Sequence, residues 1–467
     1  MTDHRADAAA GAAEAAETEE ELFGLSDEQV REVRERLAEG NVQAVEELVE
    51  PLHAADVADL FERLTHDERR LLAGIVRHVF EPEILTWLDE TVREDVIDIL
   101  GPQEVAQALS ELDTDDAVDL LEDLDEEEKQ RILATLPAED RALLVEGLTY
   151  PEESAGRLMQ RELVAVPTAW TVGETIDYMR AAAELPDDFY DLFIVDPAHK
   201  PVGSVPLSRV LRSKRPIKVT DLMDTELRTI SVTTDQEEVA YLFRQYGLVS
   251  APVVDEHGRL VGVVTVDDVV HVIDEEAEED LMAMARVGDT DFHVSAYQTA
   301  LRRIRWLFVT LVNTVIAAIV ISRFAATIEQ MVALAVLMPI VAAMGGNSGM
   351  QVVTIAVRAL STRDLTGTNA RRVLVKEVAV AAMTSVVFAI VMGVVAAVWF
   401  DRVDLGLVLA GAMIFNMIWA GFAGIAIPLI LDRFGVDPAV AAGPFLTTTT
   451  DVLGFFSFLG LATLFLL

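Results

Sequence analysis

The spacing of apolar residues changes twice along this chain, and each change predicts a different kind of structure. From residue 25 to 150 apolar positions recur at helical intervals: Val57, Leu60, Phe61 and Leu64; Val96, Ile99 and Leu100; Val118, Leu121 and Leu124. Gly101-Pro102 and Leu136-Pro137 cut the pattern into pieces of a few turns. Related phrases return, "ADVADLFERLTHDERR", "DDAVDLLEDLDEEEKQ" and "LPAEDRALLVEGL". This predicts short amphipathic helices stacked as an α-helical superhelix over 23–155. From 156 to 273 strand-like runs alternate with helical ones, and one pattern occurs twice. Val195-Asp196 and Gly203 lie 59 residues before Val254-Asp255 and Gly262. Each copy, 156–217 and 218–273, reads strand, helix, β-hairpin, helix. From Trp306 the chain is almost continuously apolar, in runs long enough to cross a bilayer. Five spans are expected, at 304–324, 328–358, 372–400, 405–431 and 437–465, within a membrane domain covering 302–467. Gly345-Gly346 is expected to interrupt the second. The predicted fold is thus multidomain: a helical superhelix, a tandem α/β pair and a five-span transmembrane domain.

Charge sharpens this division. The chain has 467 residues, 36 basic and 78 acidic, for a net charge of −42. Residues 1–290 hold 25 of the basic and 69 of the acidic groups, and the remainder is close to neutral. A surface that acidic repels nucleic acid and anionic headgroups and collects cations. Residues 1–22, rich in Ala and Glu, read as a disordered acidic tail without the apolar core of a secretory signal. Six acids fill the seven positions from Asp274 to Asp280, at the start of a predicted connecting helix over 274–301. Arg302, Arg303, Arg305, Arg358, Arg363, Arg371, Arg372 and Lys376 fall on one side of the spans, and Arg323 and Arg402 on the other. The excess of positive charge places the N-terminal region in the cytosol and the C-terminus outside a cell membrane. The absence of cysteine excludes disulfides, zinc-thiolate sites and thiol catalysis. No P-loop or HExxH pattern suggests an enzyme or ATP-driven transport.

The sharpest chemical signal is Asp451, inside the fifth span in "GPFLTTTTDVLGFFSFLG" with no Lys, Arg or His in that span. A carboxylate at membrane depth costs several kcal/mol unless it faces water or a cation. Gly443, Thr447, Thr450, Gly454 and Ser457 form a small, hydroxylated stripe beside it. The second span offers Pro339, Gly345, Gly346 and Asn347. Oxygen ligands with one fixed charge suit a hard, mostly hydrated Mg²⁺ and argue against copper and zinc. On the axis of a two-fold dimer, two copies of Asp451 would face each other and hold a divalent ion between them.

Two resemblances extend this reading. The repeated unit resembles a tandem CBS pair. Its second copy carries Gly247, Pro252-Val253-Val254-Asp255, Gly258, Leu260-Val261-Gly262 and Asp267-Asp268-Val269, and its first is degenerate around Pro186-Asp187-Asp188. This implies a regulatory module, with ATP or another adenine nucleotide as its possible ligand. The order of domains, with "PIVAAMGGNSGMQ" in the second span and "DPAVAAGPFLTTTTDVLGFF" at 437–456, resembles the MgtE family of magnesium channels over essentially the whole chain. The resemblance implies a homodimeric, Mg²⁺-selective pore lined by the second and fifth spans. Asp451 would be its selecting carboxylate, with Gly346, Asn347, Thr447 and Thr450 as polar pore surface. Asp437 would be the acid that meets the regulatory region. Gly349-Met350-Gln351 departs from the family's usual run after "GGN".

A gating mechanism follows from the charge. Dense carboxylates repel until Mg²⁺ binds between them and draws the cytosolic domains together, closing a passive influx path at high cytosolic Mg²⁺. The expected regulatory metal ligands are Glu275, Glu276, Glu278 and Glu279 with Asp437, and Asp224, Glu226 and Asp255 in the CBS pair. The alternatives are transport of another divalent cation such as Mn²⁺ or Co²⁺, and a CBS-based membrane receptor.

Overall fold

The computed structural model describes residues 24–77, 80–182, 185–186, 189–285 and 296–467, and the expected acidic tail lies outside them. The chain divides into two compact units, 1–273 and 274–467.

The first unit begins with nine short α-helices among the described residues. They are α1 Asp27–Glu39, α2 Val42–Val49, α3 Ala54–Arg63, α4 His66–Val76, α5 Glu90–Leu100, α6 Pro102–Glu111, α7 Thr114–Glu122, α8 Glu126–Thr135 and α9 Ala138–Gly147. Local chemistry sets their ends. Ser26 and Gln29 form a capping box on α1, and Asp125 caps α8 by accepting from Glu128 N. Gly101, at φ +82°, makes the turn between α5 and α6, and Pro102 starts the next helix. The predicted apolar positions form one continuous core from Leu25 to Leu144. One buried cation ties neighbouring helices together. Arg93 Nη1 donates to Asp123 at 2.7 Å and Asp119 at 3.1 Å, while Nη2 donates to the Leu88 carbonyl.

Two three-stranded sheets follow, and the duplication is visible in their details. β1 (Ala165–Pro167) pairs parallel with β2 (Asp191–Val195), which turns back antiparallel into β3 (Pro201–Pro206). β4 (Ile230–Ser231), β5 (Ser250–Val254) and β6 (Leu260–Thr265) repeat this arrangement. Helix α10 (Val172–Ala181) crosses over in the first copy and α12 (Gln236–Tyr246) in the second, and α11 (Leu207–Arg212) follows β3. The pairing irregularity at Ile194/Val195 recurs at Val253/Val254. Phe193, Val195, Leu260 and Val263 form a core shared by the two copies.

Helix α13 (Val266–Ala285) departs from the expected connecting helix. It starts at the end of β6, eight residues earlier than expected, because Val269 and Val272 belong to the core of the second copy. It is described only to Ala285, and residues 286–295 of the expected helix lie outside the described residues.

Among the described residues, the second unit contains five helices long and apolar enough to cross a membrane: α14 (Ala296–Ser322), α16 (Ala333–Ser361), α17 (Ala370–Phe400), α18 (Val403–Arg433) and α19 (Pro438–Phe465). The second span differs from expectation at both points of interest. A separate short helix, α15 (Ala325–Gln330), precedes it. The span itself then runs unbroken through Gly345-Gly346. These glycines make room instead of a break. A Cβ at Gly345 would strike the Asn416 side chain, whereas one at Gly346 would meet nothing. Asp401, in the left-handed region, closes the tight link between α17 and α18. Gly393 and Gly406 then let those helices meet almost backbone to backbone.

Candidate ion pathway and acidic cluster

Helix α19 carries the run Thr447-Thr448-Thr449-Thr450-Asp451. Asp451 is half-buried, and among the described residues no charged group lies close enough to act on it. The hydroxyls before it all point hydrogen into their own helix. Thr447 donates to the Gly443 carbonyl at 3.0 Å, Thr448 to Pro444 at 2.7 Å and Thr449 to Leu446 at 3.0 Å. Such hydroxyls present only lone pairs to whatever lies outside the helix. Thr450 does the same towards Leu446 and Thr447, but it is completely buried and offers no surface to an ion. Of the threonines in the stripe read from the sequence, only Thr447 stays half-exposed, one turn before Asp451; Thr448 and Thr449, outside that stripe, are half-exposed as well. On α16, Asn347 is exposed, Gly346 is half-buried and Gly345 is buried.

At one end of the membrane unit, Asp437 caps α19 by accepting from Ala439 N at 2.8 Å. The acid that approaches it is Asp280, which accepts a hydrogen bond from Ser361 Oγ at 2.8 Å. Burial, and then repulsion from Asp437, push the Asp280 carboxyl up, against that hydrogen bond. Ala283 and Met284, further along the same helix, pack with Trp419, Val353, Val357 and Ala439. Glu275, Glu278 and Glu279 are exposed and Glu276 is half-exposed. The sequence pointed to those four because they crowd into five positions, 275–279. Packing singles out Asp280, at the end of the same run.

The CBS residues separate in a similar way. Asp255 is a turn residue rather than an open metal ligand. Its carboxylate accepts from His257 N at 2.8 Å and Arg259 N at 2.9 Å and pairs with the Arg259 guanidinium at 2.7 Å. Those bonds hold its carboxyl well below the usual range. Asp196 makes the same backbone bonds in the first copy, so the motif belongs to the hairpin. Asp224 pairs with Arg209 at 3.0 Å, and Glu226 is exposed.

An acidic cluster that the sequence reading did not assign lies within the first unit. Asp113, Asp115 and Asp116, at the start of α7, approach Asp267 and Asp268, at the start of α13. Thr114 Oγ1 donates to Glu162 beside them at 2.7 Å, and Thr265 Oγ1 donates to Asp268 at 2.6 Å. Asp115 is 7% exposed, and its Oδ1 has no hydrogen-bond partner among the described residues. Burial first, then Asp268, Asp116 and Asp113, push its carboxyl well above the usual range. Burial and Asp268 push Asp116 up to about 7. Desolvation, with Glu162 and Asp268, pushes Asp113 up to about 6. Among the described residues no three such side chains converge closely enough to hold a metal ion as they stand. The pairs "TDD" and "DD" were the available signal, but 150 residues of sequence separate them.

Comparison with known proteins decides the family. The chain is 32% identical over 434 residues to the magnesium transporter MgtE of Bacillus subtilis, covering 92% of this chain and 96% of the relative. The chain belongs to the MgtE family. The Thermus thermophilus magnesium transporter MgtE is also 32% identical, over 93% of this chain and 98% of its own. The MgtE divalent cation transporter family matches residues 338–461, the MgtE intracellular N domain matches 52–153 and the CBS domain matches 219–275. The first match contains both Asn347 and Asp451. Among solved structures, the cytosolic domain of the Mg²⁺ channel MgtE in complex with ATP is 32% identical, covering 52% of this chain and 99% of that one, with a TM-score of 0.49. MgtE proteins are magnesium transporters, and this member has a helical N domain, a CBS pair and, among the described residues, five helices long and apolar enough to cross a membrane.

Proposed function

We propose that this MgtE protein conducts Mg²⁺ passively into the cell, as a homodimer with the C-terminus outside. Mg²⁺ binding to its cytosolic acids would close it. The observation that carries the transport reading is Asp451, an intramembrane carboxylate with no charged partner among the described residues, one turn beyond the half-exposed Thr447 and Thr448. Mg²⁺ gives up its water reluctantly, and coordinated water is a hydrogen-bond donor. A wall of lone pairs and one carboxylate suits that hydrated ion. In a dimer, Asn347 of the second span would add an amide to the same surface. The positive charge at 358–376 and at Arg433 supports the orientation.

The acidic cluster supports the regulatory half. Burial and neighbouring carboxylates push Asp113, Asp115 and Asp116 up there, and among the described residues Asp115 Oδ1 has no hydrogen-bond partner. These are oxygen donors of the kind a hard cation takes, and a small closure of α7 on α13 would complete a weak site. Asp280 and Asp437 form a second repulsive pair, beside the α19 N-terminus. Adenine nucleotide binding at the CBS pair is part of the same proposal.

Reconstitution tests the transport reading. Proteoliposomes with an entrapped Mg²⁺ dye should take up Mg²⁺ without ATP, faster with an inside-negative potential. Uptake that needs ATP, or none at low internal Mg²⁺, would sink it. Preference for Mn²⁺ or Co²⁺ in competition would name a different cargo. The threonines provide a finer check. Thr447→Val should slow uptake by about tenfold, while Thr450→Val, buried and self-satisfied, should stay within about twofold of wild type. Equal effects of the two would remove Thr447 from the pathway.

A further inference from the structure

Asn416 sits midway along α18, the fourth span, and is completely buried. Its Nδ2 donates to the Val341 carbonyl of the second span at 3.0 Å. A Cβ at Gly345, on that same span, would overlap Nδ2, and a Cβ at Gly454, on the fifth span, would lie 2.7 Å from it. One amide therefore fills a notch cut by two glycines on two different helices. Those helices carry the ion-pathway residues. Gly345 stands two residues before Asn347, and Gly454 stands one turn beyond Asp451. The other amide atom, Oδ1, is buried with no hydrogen-bond partner among the described residues.

This is a poor device for stability alone. An orphaned acceptor in an apolar interior is a cost that a leucine of the same branching would avoid. What the amide adds is direction: a hydrogen bond fixes a distance and an angle, where apolar packing leaves a helix free to slide. We propose that Asn416 is a positioning residue for ion selection, locking the spacing of the second and fifth spans from behind. This rests on the reading of those spans as the Mg²⁺ pathway. Asn416 itself does not touch the ion.

The test uses the full chain in proteoliposomes, reading uptake of Mg²⁺ and of Ca²⁺ beside the thermal stability of the purified protein. Asn416→Leu keeps the number and branching of the side-chain heavy atoms and removes the orphan. It should melt no lower than wild type yet lose about tenfold in the ratio of Mg²⁺ to Ca²⁺ uptake. Asn416→Ala, which adds no branched carbon to the notch, covers the case in which leucine fails to fold. It should show the same loss per folded molecule. A purely structural role would move stability and leave the ratio alone. A ratio within twofold of wild type in a folded variant would overturn the inference. A wild-type chain that carries no Mg²⁺ would instead overturn the pathway reading, and this inference with it.

Discussion

Mg²⁺ uptake by the Asp451→Asn variant is expected to fall roughly a hundredfold or more at equal protein. The substitution keeps size and most hydrogen bonding, so it isolates the charge. At ~5 Å and an effective dielectric of ~20, a divalent ion and one carboxylate attract by about 6–7 kcal/mol. Losing half of that already corresponds to about a hundredfold. Two copies of Asp451 on a dimer axis would make the loss larger. No neighbouring charge on α19 can stand in for it, because among the described residues no charged group lies close enough to act on Asp451. The variant should melt and elute like wild type, since no charged partner is left unpaired by the change. Uptake equal to wild type would reduce Asp451 to a packing residue and move the pathway elsewhere.

Removing one acid from the α7–α13 cluster should do the opposite of what losing a charge usually does. Asp116→Asn is expected to stabilise the metal-free protein at pH 8, on the order of 1–3 kcal/mol after solvent screening. The direction follows from the raised carboxyls. Asp116 titrates near 7 when folded, against 3.8 as the ordinary value. Its ionised form is thus disfavoured by folding, and the penalty is fully present above pH 7. It disappears as pH falls through 7 towards 4, when the folded protein takes up protons first. The wild-type melting temperature without Mg²⁺ should therefore rise over that interval as far as these groups control it, and the variant should rise less. Millimolar Mg²⁺ at pH 8 should stabilise the wild type more than the variant. Closure of uptake by internal Mg²⁺ should need a higher concentration in the variant. A destabilised variant with a normal Mg²⁺ response would show that the cluster is structural and binds nothing.

The sequence made some of this visible and hid the rest for identifiable reasons. Helical spacing located the N-domain core because Val57, Leu60 and Phe61 bury one face of one helix. The 59-residue offset captured the CBS repeat down to the hairpin turns at Asp196 and Asp255, since a turn is encoded locally. The bonding of Asp255 is not legible there, because an open carboxylate and one tied to two backbone N–H groups look alike in sequence. Gly345-Gly346 suggested a broken helix, because glycine permits both a break and a close approach. Only its neighbour, Asn416, 71 residues later, distinguishes the two. The approach of Asp115 to Asp268 is likewise a property of tertiary packing. The run of acids on α13 was plain to see, but which of them meets Asp437 depends on helical phase, and that phase selects Asp280.

The threonine run has one more consequence. A chain of hydroxyls in a membrane is ordinarily a candidate wire for protons, which hop when each oxygen can pass its hydrogen to the next. Here the hydrogens of Thr447, Thr448, Thr449 and Thr450 are each held by a carbonyl of their own helix. Passing a proton along them would require breaking those bonds one after another. The same wall that offers lone pairs to a hydrated cation is therefore a poor conductor of protons. If the proposed passive pathway runs past these threonines, Mg²⁺ would move down its gradient without the hydroxyls themselves short-circuiting the proton gradient across the membrane.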